Sequence, residues 1–443
     1  MNGPHDTARL AELDHAHLWH PFTQQQRWAA RPPVIIARAE GCVLYDTDGK
    51  AYIDGVASLW TNVHGHHHPV LDAAVKRQLD RVAHTTMLGL SHPPAIELAH
   101  RLIDLVPWGL NRVFYSDNGS TATEVALKIA FQYHQQTGSP ERTRFAALTG
   151  GYHGDTLGAV SVGRIPLFHQ IYKPLLFDAV SLPAPVTPGG PEEAACLEQA
   201  LALLDAHGHE LAAFIFEPLV QGAAGMKMHS PAFLKALCDK AREKGVLLVA
   251  DEVATGFGRT GSMFAMEQVG ITPDLLCVAK GLAAGYLPLA ATLTTEAVYE
   301  AFLGKPGSQR QFFHGHTFTG NPLACAAALA SLDVFEEDGV LQRTLELKKH
   351  LSLLLKGWFE RTGVGAVRQC GVMVGIDLVK RNGQPYEPDV EFGHRVCMRA
   401  REHGVILRPL GDTLVINPPL AIRDAELTKL VQSAAEAIDA EQG

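Results

Sequence analysis

Val246–Gly261 reads VLLVADEVATGFGRTG. An apolar run stops at two carboxylates, Asp251 and Glu252, and a glycine-rich stretch follows. A little further on, Asp274–Gly285 reads DLLCVAKGLAAG, a second apolar run that stops at Lys280. Short runs without polar alternation, ended by polar residues or glycine, read as strands buried on both faces. The same pattern recurs at Arg112–Tyr115, Arg144–Leu148, Ala212–Phe216 and Ala290–Leu293. Helical spacing lies between them. Thr121–Tyr133 puts Ala122, Val125, Ile129 and Tyr133 on one face, with Thr121 and Glu124 spaced as a capping box, and Pro231–Lys244 reads as a second helix. Alternating strands and helices predict an α/β fold with a mostly parallel sheet, whose ligands bind beyond the carboxyl ends of the strands.

The two ends of the chain read differently. Val34–Ala39 and Cys42–Asp54 predict antiparallel strands turning at Asp48-Gly49. The C-terminal third predicts a helix over about 340–361, strands within Val367–Leu378, a helix at Glu391–Glu402 and a hairpin around Leu410-Gly411-Asp412. Pro183–Pro191 (PAPVTPGGP) and Gly304–Ser308 (GKPGS) read as loops.

The 443 residues are 47% hydrophobic, enough for a large core in two or three domains. The net charge of −9 gives no attraction to nucleic acid or anionic membranes. Seven cysteines with no CxxC pair argue against a disulfide framework or a structural zinc site, and predict a reducing compartment. No signal-peptide core or membrane-length apolar run is visible, so a soluble cytoplasmic protein is expected.

Chemistry concentrates at the strand ends. A lysine at the end of a doubly buried strand is desolvated, which lowers its pKa and makes it a nucleophile toward an aldehyde and a base toward a Cα proton. Taken alone, Lys280 could be a surface lysine with its stem on apolar ground, the commoner fate of lysines. Asp251 reads alone as an acidic loop residue. Together they fit a pyridoxal site, because a carboxylate beside a pyridine nitrogen keeps it protonated and the ring then acts as an electron sink. Ser116–Thr121 (SDNGST), between a strand and a helix, offers Gly119 and Ser120 as a phosphate cradle, or serves only as a capping loop. Gly150–Asp155 (GGYHGD) offers Tyr152 to stack on a flat ring and Asp155 to orient it; Glu217, in FEPLVQG, ends another strand and shapes the substrate pocket. His64–His68 (HGHHH) lacks the spaced ligands of a zinc site, and no metal is expected.

These segments, with NGSTATEVALK, GYHGD and HGHTFTGNPLACAAAL, resemble the class III, fold-type I aminotransferases over nearly the whole chain. The resemblance implies pyridoxal 5′-phosphate bound through Lys280, Asp251 paired with its pyridinium, and Tyr152 and Val253 on its two faces. Gly119 and Ser120 would bind its phosphate, with Thr317 reaching it from the neighbouring subunit of a homodimer, His316 beside the cofactor and Gly315 beside the substrate. The substrates would be a small-molecule amino donor and a keto acceptor. Residues 63–335 would form the large cofactor-binding domain, and 1–62 with 336–443 a smaller α+β domain.

HLWHPFTQ, SLWTNVHGHHHP and LRPLGD resemble the biotin-pathway branch, which aminates 8-amino-7-oxononanoate with S-adenosylmethionine as donor. By that resemblance Arg408 holds the substrate carboxylate, as a planar guanidinium does well, and Trp60 walls the acyl chain. Phe22 stands where the branch has Tyr, Leu59 where it has a second Trp, His316 where it has Pro, and Leu410 where it has an aromatic residue. The chain is nearer the Bacillus-like members, part of which take the amino group from lysine. Lysine is therefore the alternative donor, and another ω-amino acid:pyruvate aminotransferase the alternative enzyme.

Overall fold

The computed structural model describes residues 5–107, 109–163 and 165–442. At its centre is a seven-stranded sheet in the order Leu110–Ser116, Ala290–Thr295, Leu275–Val278, Leu247–Asp251, Leu211–Phe216, Arg144–Leu148 and Ala179–Leu182. Ala290–Thr295 runs antiparallel to both neighbours, and the other adjacent pairs are parallel. The expected mostly parallel α/β sheet is present, with one strand, Ala179–Leu182, that sequence reading did not find. Leu248 and Ala250 enter one hydrophobic core and Leu247 and Val249 the other, which is why this strand carries no polar alternation.

Register fixes the site. Asp251 lies opposite Cys277 on the neighbouring parallel strand, so Lys280 emerges two residues beyond the adjacent strand end. The helix Gly119–Thr137 buries Ala122, Val125 and Ile129 as expected, but its cap differs. The Asn118 side chain accepts from the Thr121 N–H, and the Thr121 hydroxyl accepts from the Asn118 N–H, both at 3.1 Å. The helix starts earlier than Thr121, and the Glu124 carboxylate instead accepts the N–H groups of Gly158 and Ala159 at the start of Leu157–Gly163.

Ile36–Glu40, Val43–Asp46 and Ala51–Asp54 form a small sheet with Val405–Ile406, so one sheet draws strands from both ends of the chain. Val364–Cys370, Met373–Leu378, Thr413–Ile416 and Arg408–Leu410 form a second, antiparallel one. The helix expected to reach 361 stops at Leu354, and Gly357, at φ 80°, turns the chain into a short 3₁₀ segment. The Pro183–Pro191 loop is shorter than expected, because a helix begins at Gly190 with Pro191 in its first turn. All seven cysteines are free, and no helix among the described residues is long and apolar enough to cross a membrane.

Candidate active site

A cavity of about 460 Å³ opens where five strands end. Trp60, Gly119, Ser120, Tyr152, Glu217, Asp251, Val253 and Lys280 line it. Eight of the residues singled out from sequence thus converge, although they are spread from position 60 to position 280.

Lys280 leaves its strand with φ 44° and opens a buried 3₁₀ turn, Lys280–Ala283. A non-glycine residue in that region costs about 1–3 kcal/mol, held here by the packing around it. Among the described residues the Lys280 amine has no hydrogen-bond partner, and it lies 4.8 Å from the centre of the Trp60 ring. Burial pushes its pKa below the usual 10.5, against the opposing charges of Asp251 and Glu217. Between that depressed value and 10.5 the unfolded chain binds a proton that the folded chain does not. This contribution to stability is fully present above 10.5 and is lost as the pH falls toward the depressed value. Lys280→Met is therefore expected to melt higher than wild type at neutral pH, with the gap closing as the pH rises, when cofactor-free proteins are compared by calorimetry.

Asp251 is buried and held on both oxygens. Its Oδ2 lies 2.7 Å from His153 Nδ1, and its Oδ1 accepts the Val253 N–H at 3.1 Å. His153 is fully buried, its Nε2 has no partner among the described residues, and it lines the same cavity. Sequence reading passed over it: it stands in GYHGD, 98 residues from the carboxylate it meets. Glu217 accepts the N–H groups of Tyr152 (2.9 Å) and Gly222 (3.0 Å), and burial pushes its carboxyl up to about 7. The Tyr152 hydroxyl donates to Asp155 Oδ2 (2.7 Å), whose N–H donates to Ser120 Oγ (2.9 Å). Asp155 thus ties the ring-stacking candidate to the phosphate-cradle candidate.

Two glycines allow close approach. A Cβ at Gly154, at φ 124°, would fall 1.9 Å from Ser120 Oγ. A Cβ at Gly119 would fall 2.6 Å from Val253 Cγ1. Gly119→Ala is expected to weaken retention of a bound cofactor by about 10- to 100-fold, the equivalent of about 1–3 kcal/mol of overpacking, read by equilibrium dialysis.

Trp60 reaches the cavity from an unusual segment. Ala57, Ser58, Leu59 and Trp60 all have φ between 48° and 70°, a left-handed turn without a glycine. Such residues cost about 1–2 kcal/mol each. The buried Asp54 compensates by accepting from Ser58 N (3.0 Å) and Ser58 Oγ (2.8 Å), with His66 Nε2 at 3.1 Å. Its pKa is raised by burial but lowered on balance by these bonds. Behind it, the buried Arg259 donates to the carbonyls of Asn62 and Pro418, each at 2.6 Å, and burial lowers its pKa to about 10. His64, His66 and His67 turn to Ser331, Asp54 and Asp72 respectively, so the histidine run diverges.

The remaining sequence candidates lie elsewhere. Phe22 and Arg408 line a second cavity of about 710 Å³. Leu59 is exposed and lines neither cavity, although it adjoins Trp60. Gly315 and His316 line a third cavity, with Met87 and Leu88, and Thr317 is exposed.

The aminotransferase class-III family model matches residues 24–438. The chain belongs to this family. An adenosylmethionine-8-amino-7-oxononanoate aminotransferase of Nitratidesulfovibrio vulgaris is 55% identical, over 98% of this chain and 82% of that one. The crystal structure of the enzyme so named from Methanocaldococcus jannaschii superposes with a TM-score of 0.94 at 40% identity, over 98% of this chain and 99% of that one. An amine transaminase from an uncultivated Pseudomonas species, solved in its PLP-bound form, gives 0.90 at 36%, over 96% and 99%. Class III aminotransferases work with pyridoxal 5′-phosphate, and the site fits that group. It offers a half-buried amine with no hydrogen-bond partner among the described residues, a carboxylate fixed at the next strand end, and a glycine-floored loop at a helix start. Lys280, Asp251, Val253, Tyr152, Gly119 and Ser120 line this cavity and are the candidates to hold it.

Proposed function

We propose that this aminotransferase transfers an amino group from S-adenosylmethionine to 8-amino-7-oxononanoate, giving 7,8-diaminononanoate for biotin synthesis in the cytoplasm. The carrying observation is the near full-length identity, up to 55%, to relatives named for that reaction. When bound, pyridoxal 5′-phosphate supplies the electron sink that stabilises negative charge at a substrate Cα. The chain's own residues do the rest. Burial favours the neutral amine of Lys280, the form that attacks a carbonyl carbon and takes or returns the proton at Cα. Asp251, fixed by His153 and Val253, holds a positive charge on the ring nitrogen. Tyr152 packs on the ring, Asp155 keeps Tyr152 in place, and Trp60 and Glu217 shape the space for the reacting ends.

Arg408 is assigned to the acceptor carboxylate, with Phe22 lining the same cavity and Leu59 acting only through its neighbour Trp60. The reading includes a homodimer, in which Gly315, His316 and the exposed Thr317 serve the neighbouring subunit's site. It also keeps residues 63–335 as the cofactor domain, with 1–62 and 336–443 as the smaller one. Lysine is the second donor reading, favoured by the residues at 22 and 59. The test is a pair of half-reactions. The yellow enzyme mixed with S-adenosylmethionine is expected to bleach to the aminated form and then to aminate 8-amino-7-oxononanoate. Bleaching by lysine alone selects the second donor, and failure to aminate that acceptor after either donor rejects the assignment.

A further inference from the structure

The chain beyond Glu217 leaves the active site, turns and comes back. Val220–Gln221 pairs with Lys227–Met228 as a two-stranded ribbon, and residues 222–226 form its tip. The start of the tip belongs to the active site. The Gly222 N–H donates to Glu217 Oε2 at 3.0 Å, and a Cβ at Gly222 would fall 2.9 Å from Cζ3 of Trp60. Trp60 and Glu217 both line the cavity that holds Lys280, so Gly222 backs two of its walls.

The end of the tip is held from elsewhere. Met226 is fully buried at φ 53°, a conformation that persists in a non-glycine residue only where the surroundings impose it. Arg368, buried on the strand Val364–Cys370, supplies the restraint. Its Nε donates to the Met226 carbonyl at 2.9 Å and its Nη2 to the Gly225 carbonyl at 2.8 Å. The same guanidinium grips both carboxylate oxygens of Asp377 on the adjacent strand. Asp377 Oδ1 also accepts from the Thr413 hydroxyl at 2.8 Å. The tip lies close against this sheet. A Cβ at Gly375, opposite Arg368 in the ladder, would fall 2.7 Å from Met226 Cβ, and one at Gly225 would fall 3.0 Å from Thr413 Oγ1. The Met226 N–H donates to the Gly222 carbonyl at 3.0 Å, which closes the tip and carries the restraint from one end to the other.

We propose that Arg368 is a positioning residue for amino-group transfer: it clamps the ribbon tip to the C-terminal sheet, and through Gly222 it fixes Trp60 and Glu217, so setting how bulky a group the cavity admits beside Lys280. This rests on Lys280 as the cofactor's anchor, which borohydride labelling tests separately. The test compares wild type, Arg368→Lys and Gly222→Ala, each carrying pyridoxal 5′-phosphate. Two things are measured: hydrogen exchange of the peptide spanning 217–228, and displacement of Lys280 from the yellow enzyme by methylamine and by benzylamine, followed by absorbance. Lysine keeps a charge beside Asp377 but has no planar fork to serve the carboxylate and two carbonyls together. Arg368→Lys is expected to speed exchange in that peptide by about tenfold or more, with the central-sheet peptides as protected as in wild type. With Trp60 free to recede, the ratio of benzylamine to methylamine affinity should rise about tenfold. Gly222→Ala crowds the ring and should lower the same ratio by about tenfold. Unchanged exchange in Arg368→Lys, or ratios that move in the same direction or not at all, overturn the proposal. Faster exchange throughout the chain with an unchanged ratio makes Arg368 a structural residue alone and overturns it too. If Arg368→Lys does not fold, Asp377→Asn takes its place on the same criteria, since it keeps the shape of the pair and removes its charge. If the label falls on another lysine, the anchor assignment fails by itself, and the exchange measurement still decides whether Arg368 holds the tip.

Discussion

Lys280→Ala is expected to lower kcat/KM by about 10⁴-fold or more, because one amine carries two tasks in the proposed reaction. It binds the cofactor covalently, and it is the group placed to move the proton at Cα. Among the described residues no other lysine lines the cavity, and Trp60, packed against this amine, carries no base that could take over. The loss should fall on kcat and kcat/KM alike, the pattern of a group acting in the transition state. Added methylamine should restore a small part of the rate, since alanine leaves room for it. The variant should remain folded by circular dichroism, because the substitution removes a half-buried amine without a partner. An activity within about tenfold of wild type would place the chemistry on another residue.

Asp251→Asn is expected to cost about 10²- to 10³-fold in kcat/KM, the range seen when one preorganised electrostatic partner is removed from a transition state. The substitution preserves shape. Asparagine can keep its carbonyl oxygen on the Val253 N–H and its amide near His153, the two contacts that fix the native side chain at 3.1 and 2.7 Å. Charge is then the main variable. Removing His153 instead, as His153→Phe, leaves the charge but frees one side of it, and a loss of about 10²-fold is expected from misplacement alone. Steady-state kinetics on both variants, with cofactor content measured in parallel, separates charge from position. Equal losses would mean that orientation is the whole of the effect.

Much of this site was legible because its parts sit where the polarity of the sequence changes. The ends of the apolar runs at Asp251 and Lys280 mark the edge of a doubly buried sheet, and Gly119 with Ser120 marks a loop before a helix. Orientation was less legible. The run Ala290–Thr295 reads like its neighbours, yet the segment 279–289 that leads to it is too short for a crossover helix, so it returns antiparallel. Ala179–Leu182 is four residues long and carries a serine, too little for a periodic signal. The left-handed turn at Ala57–Trp60 has no glycine to announce it; its cause is Asp54, before the turn, and His66, after it. His153 and Arg259 were invisible for a related reason. Each is buried by partners far along the chain, and only folding brings those partners near.

The proposed reaction depends on Lys280 being the cofactor's covalent anchor. Borohydride reduction of the yellow enzyme, followed by proteolysis and mass mapping, reads this directly. One pyridoxyl label is expected, on the peptide that contains DLLCVAKGLAAG, and none on the Lys280→Ala protein. A label on any other lysine, or a yellow enzyme that yields no labelled peptide, would contradict it.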